Sequence, residues 1–363
     1  MKIKAVVMTG LNEISVEEVE LDAPKAGEVR IKMVATGVCH SDLSVVNGTL
    51  PFPPPVVLGH EGAGVIQEIG EGVTNVKVGD HVITTFVPMC GECFNCLHQE
   101  PWLCTVLQDK NGCQLDGTSR VSWKGEPITV MAALGNMAEQ IVCPSISVVP
   151  IKKHYNLEAA ALVGCAVMTG AGAAINTAAV KPGSSVAVFG CGGVGISAIQ
   201  GARISGANPI IAVDLSDEKL QAAKNFGATH TVNASTDPVA QIMEMTDGIG
   251  VDYAFEVIGV PAVMQQTVDA TRRGGTAVMV GVGSPMQNLE LSSAMLPLTG
   301  KSVLGCLYGS CNAKVDFPRM MALYEEGKLD LDGMQSRTYS IDEAPQAFED
   351  LKSGKNVRGV IVF

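Results

Sequence analysis

Basic residues are scarce in this chain and nowhere form a run. Lys and Arg number 25 against 37 Asp and Glu, a formal net charge of −12 at pH 7. A surface of that sign repels phosphate backbones and anionic lipid headgroups, so no nucleic acid and no membrane partner is expected. Charge of either sign is sparse at 17%, whereas 47% of the residues are apolar, which excludes a disordered chain and provides for sizeable cores. Internal repeats and low-complexity tracts are absent. So is an apolar leader, because the opening MKIKAVVMTGLNEISVEEVE alternates like a strand. A cytoplasmic location is the expectation. The one long uncharged stretch, Ala159 to Val180, is mostly Ala, Gly and Thr, a composition poor for insertion, and reads as a buried helix plus loop.

At 363 residues the chain exceeds what one core usually supports, so two domains are expected. The first third carries short β-like runs, KIKAVVM, EVRIKMVAT, GAGVIQEIG and HVITTF, broken by Gly, Pro and Asp, which suggests an irregular barrel-like domain. From about residue 160 the pattern becomes strand, glycine turn, helix, strand: SVAVFG, ISAIQGARIS, PIIAVD, DEKLQAAKNFG, THTVN, VDYAFEVIG, a helix from about Pro261, and TAVMVGV. Apolar strands alternating with amphipathic helices imply an α/β fold, a doubly wound parallel sheet. The tail ending in VRGVIVF is expected to rejoin the first domain.

Cysteine, by contrast, is plentiful. Eleven are present, an odd total that cannot pair completely within one chain, and in a reducing compartment metal ligation is the leading use for any tight cluster. Cys90, Cys93, Cys96 and Cys104 follow C-x2-C-x2-C-x7-C, which suits four thiolates around one tetrahedral zinc. Four sulfur ligands leave no open position, so such a site braces a loop. Unrelated reduced cysteines and an iron–sulfur cluster are the alternatives. A second, dispersed set comprises Cys39 in GVCHSD, His60 and Glu61 in LGHEGAG, and Cys165 in VGCAVMTG. Two thiolates and one imidazole leave a fourth zinc position open, the arrangement catalysis needs. Singly, each of these residues reads equally as ordinary core.

GCGGVG, Gly190 to Gly195, matches G-x-G-x-x-G between the apolar strand SVAVF and a helix. Gly190 allows the tight turn, Gly192 lets amides approach a pyrophosphate, and Gly195 lets helix and strand pack closely; Gly193 and Val194 complete the turn. Asp214 ends the next strand, where a carboxylate can accept from both ribose hydroxyls and repel a 2′-phosphate. The first basic residue afterwards is Lys219. NAD is thus favoured over NADP, unless Asp214 merely caps the helix beginning near Ser216.

GVCHSD, GHEGAG, the four-cysteine lobe, VGC, GCGGVG and VRGVIVF, in that order, make the chain resemble the zinc-dependent alcohol dehydrogenases of the medium-chain dehydrogenase/reductase family over essentially its whole length. The resemblance implies a GroES-like, mainly β catalytic domain over residues 1–166 with a structural zinc lobe at about 88–105. A Rossmann coenzyme-binding domain would follow over 167–307, and residues 308–363 would return to the catalytic domain. It places catalytic zinc on Cys39, His60 and Cys165, with Glu61 nearby, Asp42 orienting His60, and Ser41 receiving the alcohol proton; with the lobe, that makes two zincs per chain. His40 and Arg358 would meet the pyrophosphate, Asp214 and Lys219 the adenosine ribose, and Thr169, Val194 and Val282 the nicotinamide. Leu50, Phe86, Met131, Ala132 and Val282 would line the substrate pocket. The chain departs at Ser44, where relatives with a complete proton relay have His, so the onward route runs through His40, Ser44 or water. Ala132 stands where bulkier residues are common, which implies a wider pocket.

The activity so implied is hydride transfer between an alcohol (primary, with aromatic and long-chain alcohols among the candidates) and NAD, giving an aldehyde or ketone, in a homo-oligomer (dimer or tetramer). An S-(hydroxymethyl)thiol (formaldehyde) dehydrogenase and a non-catalytic nucleotide-binding protein are the competing readings.

Overall fold

The computed structural model describes residues 1–363. The chain forms two compact units. One comprises Met1–Cys165, Asn312–Glu326 and Leu331–Phe363, the other Ala166–Cys311 and Gly327–Asp330.

In the first unit, the strands Lys2–Gly10, Glu13–Leu21, Val121–Trp123, Glu126–Val130 and Val56–Val57 close into a small barrel. Side chains alternate across a strand, and the opening strand buries both faces: Ile3, Ala5 and Val7 enter one apolar cluster, Val6 and Met8 another. A seven-stranded sheet has Glu28–Val38 in its middle, paired with Gly62–Ile69 on one side and Arg358–Val362 on the other. The C-terminal strand enters antiparallel, with Gly359 opposite Val38. Between the two sheets lies a buried ion pair, Arg120 with Glu28, two-pronged at 2.6 and 2.8 Å.

The second unit is a six-stranded parallel sheet in the order His230–Asn233, Ile210–Asp214, Val186–Phe189, Val251–Glu256, Thr271–Met279, Ser302–Gly305. The chain starts in the middle and winds outward both ways, the doubly wound order, with its switch point at Val186–Phe189. Val186 to Phe189 are all buried, as a strand covered on both faces requires. Several boundaries differ from the sequence reading, including the second unit's, which spans Ala166–Cys311 where 167–307 is expected. The helix expected from Ile196 starts at Gly193 and runs to Ile204, because the glycines themselves form its first turn. The strand expected from Thr276 starts at Thr271 and stops at Met279, because the amides of Val280 and Gly281 turn to the Glu256 carbonyl. Residues 327–330 also join this unit, tied by Gln200 to Asp330 and by Arg203 to the Lys328 carbonyl.

Ala159–Val180 is broken into short pieces, Leu157–Ala161, Leu162–Gly164, Ala166–Gly172 and a π-helical turn at Ala173–Thr177. No single helix is long and apolar enough to cross a membrane.

Candidate active site

Cys39, His60 and Cys165 converge, all buried, with their donor atoms within 4.8 Å of one another. Cys39 is the N-cap of the helix His40–Val46, His60 precedes the strand Gly62–Ile69, and Cys165 follows the turn Leu162–Gly164. Gly164 makes that approach possible, since a Cβ there would stand 3.0 Å from the Thr84 carbonyl oxygen. His60 Nε2 lies 3.2 Å from Cys165 Sγ. A tetrahedral zinc with its usual bond lengths holds nitrogen and sulfur about 3.6 Å apart, so a shift of about 0.4 Å would admit the ion.

Asp42, wholly buried, organises the trio. Its Oδ1 accepts from the Gly59 amide and faces His60 Nδ1, each at 3.1 Å, and its Oδ2 accepts from the Cys39 amide at 3.1 Å. Placing the imidazole proton on Nδ1 leaves the Nε2 lone pair towards the thiols. The hydrogen bond from Cys165, together with His60, holds the Cys39 thiol well below its usual pKa against the opposing effect of burial. Burial disfavours charge on His60, but Asp42 and Cys39 outweigh it and raise the imidazole to about 10. A divalent cation would replace that proton, so metal binding here releases protons. Glu61 is buried beside the site and paired with Arg358, itself 3% exposed. Gly37 was not singled out in the sequence, yet a side chain there would collide with Glu61 Oε1. Phe86 packs edge-on to His60, ring centroids 5.7 Å apart. Ser41 and Ser44 lie three residues apart on the helix that Cys39 caps, and hence on one face, while His40 is exposed. Leu50, Met131 and Ala132 share one apolar cluster. Ala132 and Ala133 both adopt left-handed backbone, φ 56°.

The other thiol cluster is half-buried. Cys93 caps the short helix Phe94–Leu97 and Cys104 follows the turn Pro101–Leu103. Sulfur separations are 3.5 Å for Cys90 to Cys104, 3.8 Å for Cys93 to Cys104 and 4.0 Å for Cys90 to Cys96. Tetrahedral zinc–thiolate geometry requires about 3.8 Å. The pKa values of Cys93 and Cys96 are driven apart: amides of Cys96 and Thr105 pull Cys93 down to about 6, while burial pushes Cys96 up to about 12. A divalent cation removes the conflict.

In the second unit, Gly190 has φ 106°, a left-handed conformation suited to glycine, and Gly192 faces open space at the N-cap of the helix Gly193–Ile204. A side chain at Gly195 would strike the Gly190 carbonyl. Asp214 accepts from the Cys191 amide at 2.8 Å and the Ser216 amide at 3.0 Å. Ser216, and not Asp214, caps the following helix, accepting from the Lys219 amide at 3.3 Å. Thr169 and Val194 lie on helices that meet at Gly170, where a Cβ would strike the Val194 carbonyl. Val282 is 65% exposed.

Residues 25–153 match the alcohol dehydrogenase GroES-like domain and residues 193–326 the zinc-binding dehydrogenase domain. A protein of Mycobacterium tuberculosis described as "Putative alcohol dehydrogenase D" is 40% identical over 352 residues, 95% of each chain. The structure of benzyl alcohol dehydrogenase from Acinetobacter calcoaceticus superposes with a TM-score of 0.95 at 35% identity, covering 100% of this chain and 99% of the other. A protein of Sinorhizobium meliloti 1021, described as "a putative zinc-binding dehydrogenase" and bound to NADP, aligns over 100% of both chains with a TM-score of 0.82 at 26% identity. A buried sulfur, sulfur and nitrogen donor set in one unit and a glycine phosphate turn in the other thus stand beside close sequence and structural relatives, and the chain belongs to the zinc-dependent alcohol dehydrogenases of the medium-chain dehydrogenase/reductase family.

Proposed function

We propose that the protein oxidises a primary, benzylic alcohol to its aldehyde with NAD, using one zinc at Cys39, His60 and Cys165 and a second, structural zinc in the cysteine lobe. The observation that carries this is the three-donor constellation with Asp42 behind His60. When bound, the zinc supplies Lewis acidity towards an oxygen ligand and the nicotinamide ring supplies the hydride acceptor. Asp42 keeps the Nδ1 proton on His60 and so fixes the ring against the thiols. Ser41 Oγ receives the alcohol proton, and Ser44 on the same helix face, His40 or a water carries it onward. Phe86 shields one side of His60 from water.

Asp214 supports NAD: two backbone amides hold its carboxylate in place, and a 2′-phosphate beside it would meet like charge. The benzylic assignment draws on the similarity to the Acinetobacter enzyme and on the small side chain of Ala132. Zinc ligands and proton relay would come from 1–166 and most coenzyme contacts from 167–307, with His40 and Arg358 adding pyrophosphate contacts. A cytoplasmic location accords with cysteines that are reduced or zinc-bound, and a homo-oligomer with the family.

Cys39→Ser tests the reading. Turnover of benzyl alcohol should fall at least a thousandfold and about one metal ion per chain should be lost, with NADH affinity within threefold of wild type. Wild-type turnover in the variant overturns the site. A kcat/KM for NADP equal to or above that for NAD overturns the coenzyme assignment. Oxidation of formaldehyde only in the presence of a carrier thiol would transfer the substrate assignment to the S-(hydroxymethyl)thiol class.

A further inference from the structure

The strand Val251–Glu256 ends in a carboxylate with no solvent exposure. Glu256 Oε1 accepts from the amides of Ile258 at 2.8 Å and Gly259 at 2.7 Å, folding the turn after the strand over its own side chain. The Glu256 carbonyl accepts from Val280 at 2.8 Å and Gly281 at 3.1 Å, which begin the turn after the neighbouring strand. Its other carboxyl oxygen, Oε2, is buried without a hydrogen-bond partner and lies against Gly281, where an added Cβ would come within 2.7 Å of it. These two turns touch backbone to backbone. A side chain at Gly281 would meet the Ile258 amide at 2.6 Å, and Gly259, left-handed at φ 89°, abuts the backbone of Val282 and Gly283. The first turn also leans on the phosphate loop, since a Cβ on Gly190 would lie 2.8 Å from Ile258 Cγ1 and 3.0 Å from Val257 Cγ2. One carboxyl group therefore sits where three strand-to-helix turns meet. Burial raises its pKa above the usual carboxylate value, with the amides of Gly259 and Ile258 opposing the rise. A buried acid with an unsatisfied oxygen is costly to the fold, and such groups concentrate where function requires them.

Strand order indicates what this one is for. The strand ending at Asp214 lies on one side of Val186–Phe189, and the strands ending at Glu256 and Met279 lie on the other. A dinucleotide with its adenosine ribose at Asp214 and its pyrophosphate over Gly192 carries its second nucleoside towards the turns after Glu256 and Met279. Those turns present Ile258, Val260 and Val282, exposed at 50, 43 and 65%, as an apolar surface.

The geometry points to Glu256 as a positioning residue that locks these two turns together and so shapes the surface receiving the nicotinamide nucleoside. This rests on the nucleotide-binding reading above, and the test separates the two. Binding of NADH and of AMP, which carries only the adenosine half, is measured on the full zinc-loaded chain for wild type, Glu256→Ala and Glu256→Gln. Glu256→Ala should weaken NADH at least tenfold while AMP stays within twofold. Glu256→Gln, whose amide oxygen can still accept from both turn amides, should bind NADH within threefold of wild type. Unchanged NADH binding in Glu256→Ala, an equal loss of NADH and AMP, or a glutamine variant as weak as the alanine one overturns the assignment. A wild-type chain that binds neither ligand instead refutes the nucleotide reading beneath it.

Discussion

Glu325 is a surface carboxylate held by Tyr155 Oη at 2.9 Å, Lys152 Nζ at 3.1 Å and His154 Nε2 at 2.9 Å. The Tyr155 hydrogen bond first, then Lys152 and His154, lower its pKa from the ordinary 4.5 to about 2. A depressed folded-state value means stability that is fully present above the unfolded pKa and lost as pH falls through the folded one. Glu325→Gln should therefore lower the unfolding midpoint at pH 6, and the gap to wild type should close between about pH 4.5 and pH 2. A gap that stays constant over that range, read from denaturant unfolding, would contradict the pairing. The chemistry-bearing residues differ in how far the sequence alone exposes them. The lobe cysteines are legible because spacing within one loop encodes their geometry. Cys39, His60 and Cys165 are legible only in combination, since long-range folding brings them together. Gly37 and Glu256 carry no such signal: each matters through what touches it, and neither sits in a recognisable spacing.

At the scale of elements, Arg120 and Glu28 link the loop before the strand Val121–Trp123 to the start of the strand Glu28–Val38, and both are nearly fully buried. Removing one partner of a buried pair strands the other charge, at a cost of about 3–5 kcal/mol. Arg120→Met should destabilise the protein by that order, and adding Glu28→Gln should recover part of the loss. A double variant as unstable as the sum of the two single variants would show that the pair is not coupled. Neither residue stood out in the sequence, where Arg120 lies within a run of turn-forming residues. The strands themselves were legible because alternation or continuous apolarity is local. Their ends were not: Thr271–Met279 stops where amides of the next turn find the Glu256 carbonyl, a partner the sequence does not display.

For the molecule as a whole, the change from β-rich pattern to alternating strand and helix marks the passage from one unit to the other, and the break falls at Cys165. Which sheet the last strand joins is set by an unpaired edge at Glu28–Val38, a property of the assembled sheet. Lys328 and Asp330 belong to the second unit for a similar reason, the hydrogen bonds that their carbonyls accept from Arg203 and Gln200. The account stands on a metal held by only three side chains, leaving a place for substrate. Anomalous diffraction at the zinc edge from crystals of the zinc-loaded protein tests this most directly. The expected result is two sites per chain: one enclosed by Cys90, Cys93, Cys96 and Cys104, the other bound by Cys39, His60 and Cys165 with a water or alcohol as fourth ligand. No metal at the trio, or a fourth protein side chain on that metal both with and without coenzyme, would contradict the account.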